Sequence, residues 1–211
     1  MSEAYIIDAV RTPVGRRGGG LSDAHPADLG AHAIKGLLDR SGVDPLAVDD
    51  VIMGCLDNMG PQAGDVARTA WLAAGMPESV PGVTVDRQCG SGQQAVSFAA
   101  MGVMSGVQDI VVAGGIQNMS LIPIGSAMDV MGHESIGHPE IEDPFTTSKG
   151  WVDRYGTQEV SQFRGAELIA KKWDLSREQL EEFALESHER AAKAQDEGRF
   201  DNEILPYGDI Q

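Results

Sequence analysis

Two residues in this chain, both cysteines, could carry covalent chemistry at neutral pH, and their surroundings separate them. Cys89 lies in Val-Thr-Val-Asp-Arg-Gln-Cys-Gly-Ser-Gly, residues 83–92, and Cys55 closes an apolar run that begins at Asp50. Val83, Thr84 and Val85 read as a short β-branched strand. Gly90 and Gly92 then break the chain direction. From about Ser91 the apolar positions Val96, Ala99, Ala100, Val103 and Met104 recur at helical spacing. A second apolar run, Ile110 to Ala113, ends in Gly114 and Gly115. The pattern predicts a β-turn-α-β unit with Cys89 at the bend.

That position has chemical consequences. A residue there sits at the carboxyl end of a parallel strand, where open α/β sheets bind ligands. It also sits at a helix N-terminus, whose unpaired N–H groups and dipole favour negative charge. Such surroundings promote the thiolate, the nucleophilic form of cysteine. The same N–H groups could steady the oxyanion of a thioester under attack, and Gly90 and Gly92 would let backbone and substrate approach closely. On local geometry a buried structural cysteine remains the alternative. Cys55 ends a strand too, but no turn-then-helix follows to polarise it. It reads as structural.

The elements that must position Cys89 can be followed in order. Ala4 to Val10 is expected as a first strand, and 11–15 as an irregular loop. Gly18, Gly19 and Gly20 form a turn, since no Gly-Lys-Ser/Thr follows to make a phosphate loop. Pro26 suits the first turn of a helix with Leu29, Ala33, Leu37 and Leu38 on its buried face and Gly42 at its end. Asp50 to Cys55 is expected as a strand, and Ala63 to Ala74 as a helix stopped by Gly75 and Pro77. The alternation predicts an α/β fold with a mainly parallel sheet and helices on both faces. Ile116 to Thr147 is rich in Gly, Pro, Met and Ser and reads as an excursion or an oligomer-contact segment. Two helices are expected after it, Val160 to Trp173 and Arg177 to Gln195. The second opens with a capping box from Ser176 to Gln179 and aligns Leu180, Phe183, Ala184, His188, Ala191 and Ala192 on one face. Glu203 to Pro206 is strand-like.

Composition narrows the class. The 211 residues suffice for one large or two small domains. A net charge of −16 argues against sequence-independent binding to nucleic acid or to an anionic membrane. Two cysteines make no disulfide framework, so a cytoplasmic setting is the default expectation. No apolar run approaches a membrane span, and no basic-then-apolar signal opens the chain.

Three other patterns imitate known sites. Gly90-x-Gly92-x-x-Ala95 fits the loose dinucleotide fingerprint, but Asp109 stands before the next strand, at the wrong end to bind a ribose. His133-Glu134 with His138 is one residue too long for a zinc helix, and Gly137 and Pro139 break that helix. No metal site is expected. Gly137-His138-Pro139 bears on the comparison that follows.

Asp86-Arg87-Gln88-Cys89-Gly90-Ser91-Gly92, followed by Val-Val-Ala-Gly-Gly-x-x-x-Met-Ser, resembles the thiolase family. So do Arg-Thr-Pro-Val-Gly at 11–15, Arg68-x-Ala70 leading to Ala-Gly-Met-Pro at 74–77, the 176–188 segment, and Gly198-Arg199-Phe200-x-x-Glu203-Ile204-x-Pro206. The resemblance implies a thiolase-like fold: an N-terminal half-domain over 1–119, then an incomplete helical loop domain over 120–211. It implies a coenzyme A-dependent acyltransferase that cleaves 3-ketoacyl-CoA, or condenses two acetyl-CoA, through an acyl-thioester on Cys89. The Cys89 backbone N–H would serve one oxyanion hole. Coenzyme A is then a substrate, no cofactor is held permanently, and a homo-oligomer, tetramer or dimer, is expected, acting in fatty-acid or sterol degradation.

The departures from the family pattern set further expectations. Family chains carry a second, similar half supplying a histidine in Gly-His-Pro, a second cysteine as acid/base, and an Asn-Glu-Ala-Phe stretch. None of these is expected here; Gly137-His138-Pro139 comes far too early. The chain is therefore expected to be a fragment, inactive alone, with an apolar face left for its missing half. Arg154 and Tyr155 precede Gly156 where many members carry His-Met, which marks them as acyl-binding candidates. Two alternatives stand beside this one: a decarboxylating condensing enzyme, and a lipid- or CoA-binding module whose cysteine does no chemistry.

Overall fold

The computed structural model describes residues 3–128, 144–145 and 147–210. The imitated motifs at 133–139 lie outside them. The chain divides into two compact units, Met1–Ala127 with Asn202–Gln211, and Met128–Asp201.

The first unit is built on a three-stranded parallel sheet. Its strands are β1 (Asp50–Gly54), β2 (Gly82–Val85) and β3 (Val111–Gly115), in the order β2-β1-β3. The central strand explains the layering. Successive side chains of a strand point to opposite faces, and β1 is apolar on both. Val51, Met53 and Cys55 join one core with Val112, Ile116, Ile34 and Leu38 of α1 (Pro26–Ser41), and Val66, Ala67, Ala70 and Trp71 of α2 (Val66–Ala73). Ile52 faces the other way, with Val85, Val111 and Ala113, against Ala95 and Ala99 of α3 (Ser91–Ser105). Helices thus cover both faces, as the alternation predicts.

Local signals set several boundaries. Pro26 opens α1, the His25 ring accepts from the Ala27 N–H, and Gly42 closes the helix in the left-handed region. The 63–74 prediction shortens to α2 because Gly60–Gln62 forms a separate 3-10 turn and Asp65 caps at Val66 through the Arg68 N–H. Trp71 is fully buried, and its indole N–H donates to the Pro77 carbonyl at 2.8 Å, fixing the turn after α2.

One expected strand is corrected. The first strand, 4–10, does not form. The segment is without ladder partners among the described residues, and Tyr5, Ile6 and Ile7 are exposed. Pairing begins only at Arg11, which forms a parallel bridge with Ile204. A β-prone sequence supplies no neighbour by itself; strands are stabilised by pairing. On α3 the buried face is Ser91, Ala95 and Ala99, while Val96 and Met104 are exposed. Small side chains face the sheet because the helix lies close on it.

The returning segment 202–210 is tied to the start of the chain. The Arg11 N–H donates to the Glu203 carbonyl and the Leu205 N–H to the Arg11 carbonyl, each at 2.8 Å. Arg40 of α1 grips the Asp8 carboxylate with two nitrogens and also donates to the carbonyls of Ala9 and Asn202. A cavity of about 320 Å³ runs beside β3, bounded by Val10, Arg11 and Thr12 and floored by Ala33, Ile34 and Leu37 of α1.

The second unit contains α4 (Lys149–Tyr155), α5 (Gln162–Lys172) and α6 (Arg177–Asp196). A serine caps each one: Ser148, Ser161 and Ser176, the last within the expected capping box. The sequence reading did not foresee α4, and α5 starts two residues later than expected. The apolar positions of α6 are not buried: Leu180 and Phe183 stand exposed. His188 is exposed as well.

Candidate active site

β2 ends at Val85, and the Cys55 N–H donates to the Val85 carbonyl at 3.1 Å, so the carboxyl ends of β1 and β2 meet. The next five residues reverse the chain into α3. Asp86 starts the turn by accepting the Gln88 N–H on its carboxylate at 2.7 Å. Gln88 then takes φ +49°, in the left-handed region. For a residue with a Cβ this costs about 1–2 kcal/mol. The Gly90 N–H donates to the Arg87 carbonyl at 3.1 Å and the Ser91 N–H to the Gln88 carbonyl at 3.2 Å. The buried Ser91 hydroxyl completes the turn: it accepts from the Arg87 N–H at 2.9 Å and donates to the Gln88 carbonyl.

Cys89 stands at the crest of this turn, exposed, two residues before α3 begins. Gly90 caps the helix without a side-chain hydrogen bond, and no acidic residue lies in the first turn. Backbone N–H groups and the helix dipole at this end of α3 favour an anion.

A close backbone approach beside this turn falls at Gly54. A Cβ on Gly90 would come no closer than 3.5 Å to another atom, and one on Gly92 no closer than 3.8 Å; both are ordinary contacts. On Gly54 a Cβ would lie 2.3 Å from the Gly92 nitrogen and from the Ser91 carbonyl carbon. The carboxyl end of β1 thus has to be glycine for α3 to start where it does. Gly54, Asp86, Gln88 and Ser91 escaped the sequence reading. Asp86, two residues before Gln88, was the available sign of a side chain closing a turn on the backbone.

Cys55 is the counterexample. It is buried, its Sγ lies 3.4 Å from the Leu56 carbonyl and 3.8 Å from Gln117 Oε1, and the next α-helix begins only at Val66. Burial pushes its thiol up to about 11, with the Asp86 and Asp57 carboxylates adding to the effect. It stays protonated and inert, as expected of a structural cysteine.

Beyond the ends of β1 and β3, buried polar side chains fix the loops around the site. The Asn118 side-chain amide donates to the carbonyls of Leu21, Ser22 and Ala24, and its oxygen accepts from the N–H groups of Ser120 and Leu121. Gln62 donates to the carbonyls of Leu56 and Asp57 and accepts from the Asn118 N–H. Asp57, at φ +53°, receives the N–H groups of Gly125 and Ala127.

Arg154 and Tyr155 lie on α4, in the second unit. The Arg154 guanidinium sits 5.1 Å from the Tyr155 ring centre, and the Trp151 ring stacks between Phe145 and Tyr155. Among the described residues no group of three or more His, Cys, Asp and Glu side chains could hold a metal ion. Among them, too, no helix is long and apolar enough to cross a membrane.

Comparison with known proteins bears directly on this geometry. The family described as "Thiolase, N-terminal domain" matches residues 4–210. The steroid 3-ketoacyl-CoA thiolase FadA6 of Mycobacterium tuberculosis (strain ATCC 25618 / H37Rv) is 62% identical over 205 residues, covering 97% of this chain and 49% of FadA6. The 3-oxoadipyl-CoA/3-oxo-5,6-dehydrosuberyl-CoA thiolase of Escherichia coli (strain K12) is 40% identical over 214 residues, covering 98% and 52%. The crystal structure of the Bacillus anthracis acetyl-CoA acetyltransferase superposes with a TM-score of 0.72 at 32% identity, over 95% of this chain and 49% of that one. The chain spans about half the length of the relatives it matches. With an exposed cysteine carried on a strand-turn-helix bend, and with this match running along nearly its whole length, the chain belongs to the thiolase family and corresponds to that family's N-terminal half.

Proposed function

We propose that the protein of which this chain is the N-terminal half is a coenzyme A-dependent acyltransferase, with Cys89 as the nucleophile that carries the acyl group. The observation that carries this reading is the exposed Cys89 thiol at the start of α3, at the carboxyl end of the parallel sheet. In thiolysis the Cys89 thiolate adds to the C3 carbonyl of a 3-ketoacyl-CoA. The C2–C3 bond breaks, its electron pair leaves on acetyl-CoA as the enolate, and a proton completes that product. The acyl group remains on Sγ as a thioester. A coenzyme A thiolate then adds to the thioester carbonyl, releasing the shortened acyl-CoA and regenerating the Cys89 thiolate. The family resemblance assigns one oxyanion hole to the Cys89 N–H and the acid/base groups to the second half of the protein.

The 62% identity to a protein named as a steroid 3-ketoacyl-CoA thiolase supports the degradative direction and a steroid-derived acyl group. Residues 1–119 act in this reading as the catalytic half-domain, and Arg154 and Tyr155 of the loop domain contact the acyl chain. The protein works in the cytoplasm as a homo-oligomer, with acyl-CoA and CoA as its partners.

Intact-mass spectrometry of the full-length protein incubated with a 3-ketoacyl-CoA tests the reading. An acyl adduct that Cys89→Ser abolishes is expected. Retained CoA binding without an adduct would replace it with a binding module, and acylation from a carrier protein but not from CoA would replace it with a decarboxylating condensing enzyme.

A further inference from the structure

Cys89 is presented by a turn whose shape depends on two side chains that touch no substrate in the scheme above. Gln88 occupies the left-handed region without being glycine, so something has to hold it there. Asp86 holds it from one side, its carboxylate accepting the Gln88 N–H at 2.7 Å. From the other side the Ser91 hydroxyl accepts the Arg87 N–H at 2.9 Å while donating to the Gln88 carbonyl. Both peptide groups that flank the φ and ψ of Gln88 are therefore pinned by side chains. Ser91 is itself buried in the first turn of α3 beside Gly54.

We infer that Asp86 and Ser91 are positioning residues for Cys89, a two-sided clamp on the Gln88 peptides that keeps the thiol at the helix start. This rests on the reading of Cys89 as the acyl carrier. Asp86 could otherwise act through its charge, which would oppose a nearby thiolate. The clamp requires only its acceptor oxygen. The two ideas differ over Asp86→Asn, which keeps the acceptor and drops the charge. The clamp leaves the alkylation rate near wild type, whereas loss of an opposing charge would raise it, and a rise beyond about threefold would overturn the clamp.

The test uses the full-length protein carrying Asp86→Ala, Asp86→Asn, Ser91→Ala or Ser91→Thr. Two quantities are read: the rate of Cys89 alkylation by iodoacetamide at pH 7, and kcat and KM for a 3-ketoacyl-CoA. Loss of the clamp in either alanine variant should lower both the alkylation rate and kcat by about tenfold or more, since small misplacements of a reacting group carry large costs. KM should stay within about threefold, because neither residue supplies ground-state binding. Asp86→Asn and Ser91→Thr should restore both rates to within about threefold of wild type by retaining the acceptor oxygen or the hydroxyl. Alanine variants that match wild type would overturn the inference, and so would an Asp86→Asn variant as slow as Asp86→Ala. Should Ser91→Ala fail to fold, the pair of variants at the exposed Asp86 decides alone. Failure of the acyl-carrier reading would look different: wild-type protein would form no acyl adduct, while the alkylation rates would still report on the turn.

Discussion

The backbone nitrogen of Gly92 occupies the place where a side chain on Gly54 would begin, 2.3 Å from the position of that Cβ. Neither partner is the flexible end of a side chain, so neither can swing aside. Gly54→Ala should push the start of α3 off the sheet and destabilise the protein by about 1–3 kcal/mol, the usual cost of overpacking. Thermal melts of the variant and the iodoacetamide rate at Cys89 check this, and both should fall. An unchanged melting temperature would mean that α3 is not seated against β1 as described.

Alkylation should separate the two cysteines cleanly. Cys89 is exposed, while Cys55 is buried with its thiol pushed up to about 11. Of these two, native protein treated with iodoacetamide at pH 8 should be modified on Cys89 alone, and on Cys55 only after denaturation. The raised value also has a sign for stability. Cys55 favours the fold fully below about pH 8.5, its ordinary range, and this contribution is lost as pH rises through about 11. Replacing Cys55 with alanine should flatten the alkaline end of a stability-pH curve. A curve unchanged there would count against burial as the cause.

Arg40 of α1 joins two other stretches of the first unit, Asp8–Ala9 and Asn202. Arg40→Ala should loosen both ends of the unit and raise amide exchange at Ala9–Arg11 and Leu205. Arg40→Lys should recover only part of the protection, since an ammonium cannot reproduce the two-nitrogen grip on the Asp8 carboxylate. The hydrogen bonds from Arg40 and from the Ala9 N–H hold that carboxyl below its usual range. The contribution of the pair should therefore be present above about pH 4 and lost as pH falls below it. Exchange rates that do not differ between wild type and Arg40→Ala would contradict this role.

Asn118 sets its amide against three carbonyls and its oxygen against two N–H groups, all from loops around the site. Asn118→Ala should cost about 2–4 kcal/mol by leaving several buried backbone groups unpaired. Asn118→Asp should be at least as damaging, because a carboxylate would face the Leu21, Ser22 and Ala24 carbonyls with no proton to offer. Denaturant titration of both variants provides the measurement, and a harmless Asn118→Asp would show that these carbonyls have other donors.

The alternation of strands and helices was legible because it rests on local signals: Pro26 and Gly42 around α1, the β-branched run of β2, the glycines closing β3. Facts about neighbours were not legible. Tyr5, Ile6 and Ile7 look like a strand and lie exposed, because strand formation depends on what lies alongside. The spacing of Val96 and Met104 marked the helix but not its buried face, which is Ser91, Ala95 and Ala99. At the site, Cys89 was found from its type and its bend. The restraints on that bend were not, because a left-handed Gln88 has no composition signal and Gly54 lies 35 positions earlier in the chain. Short α4 escaped because seven residues with a glycine inside give almost no periodicity; the Ser148 cap was its sign.

The bridge between Arg11 and Ile204 means that the chain leaves its first unit after Ala127 and comes home at Asn202. Residues 128–201 are thus anchored at both ends to one frame, and their own helices can be lengthened, trimmed or exchanged without rewiring the strands that carry the cysteine. Evolution can vary such an insertion while the strands that lead to Cys89 keep their register.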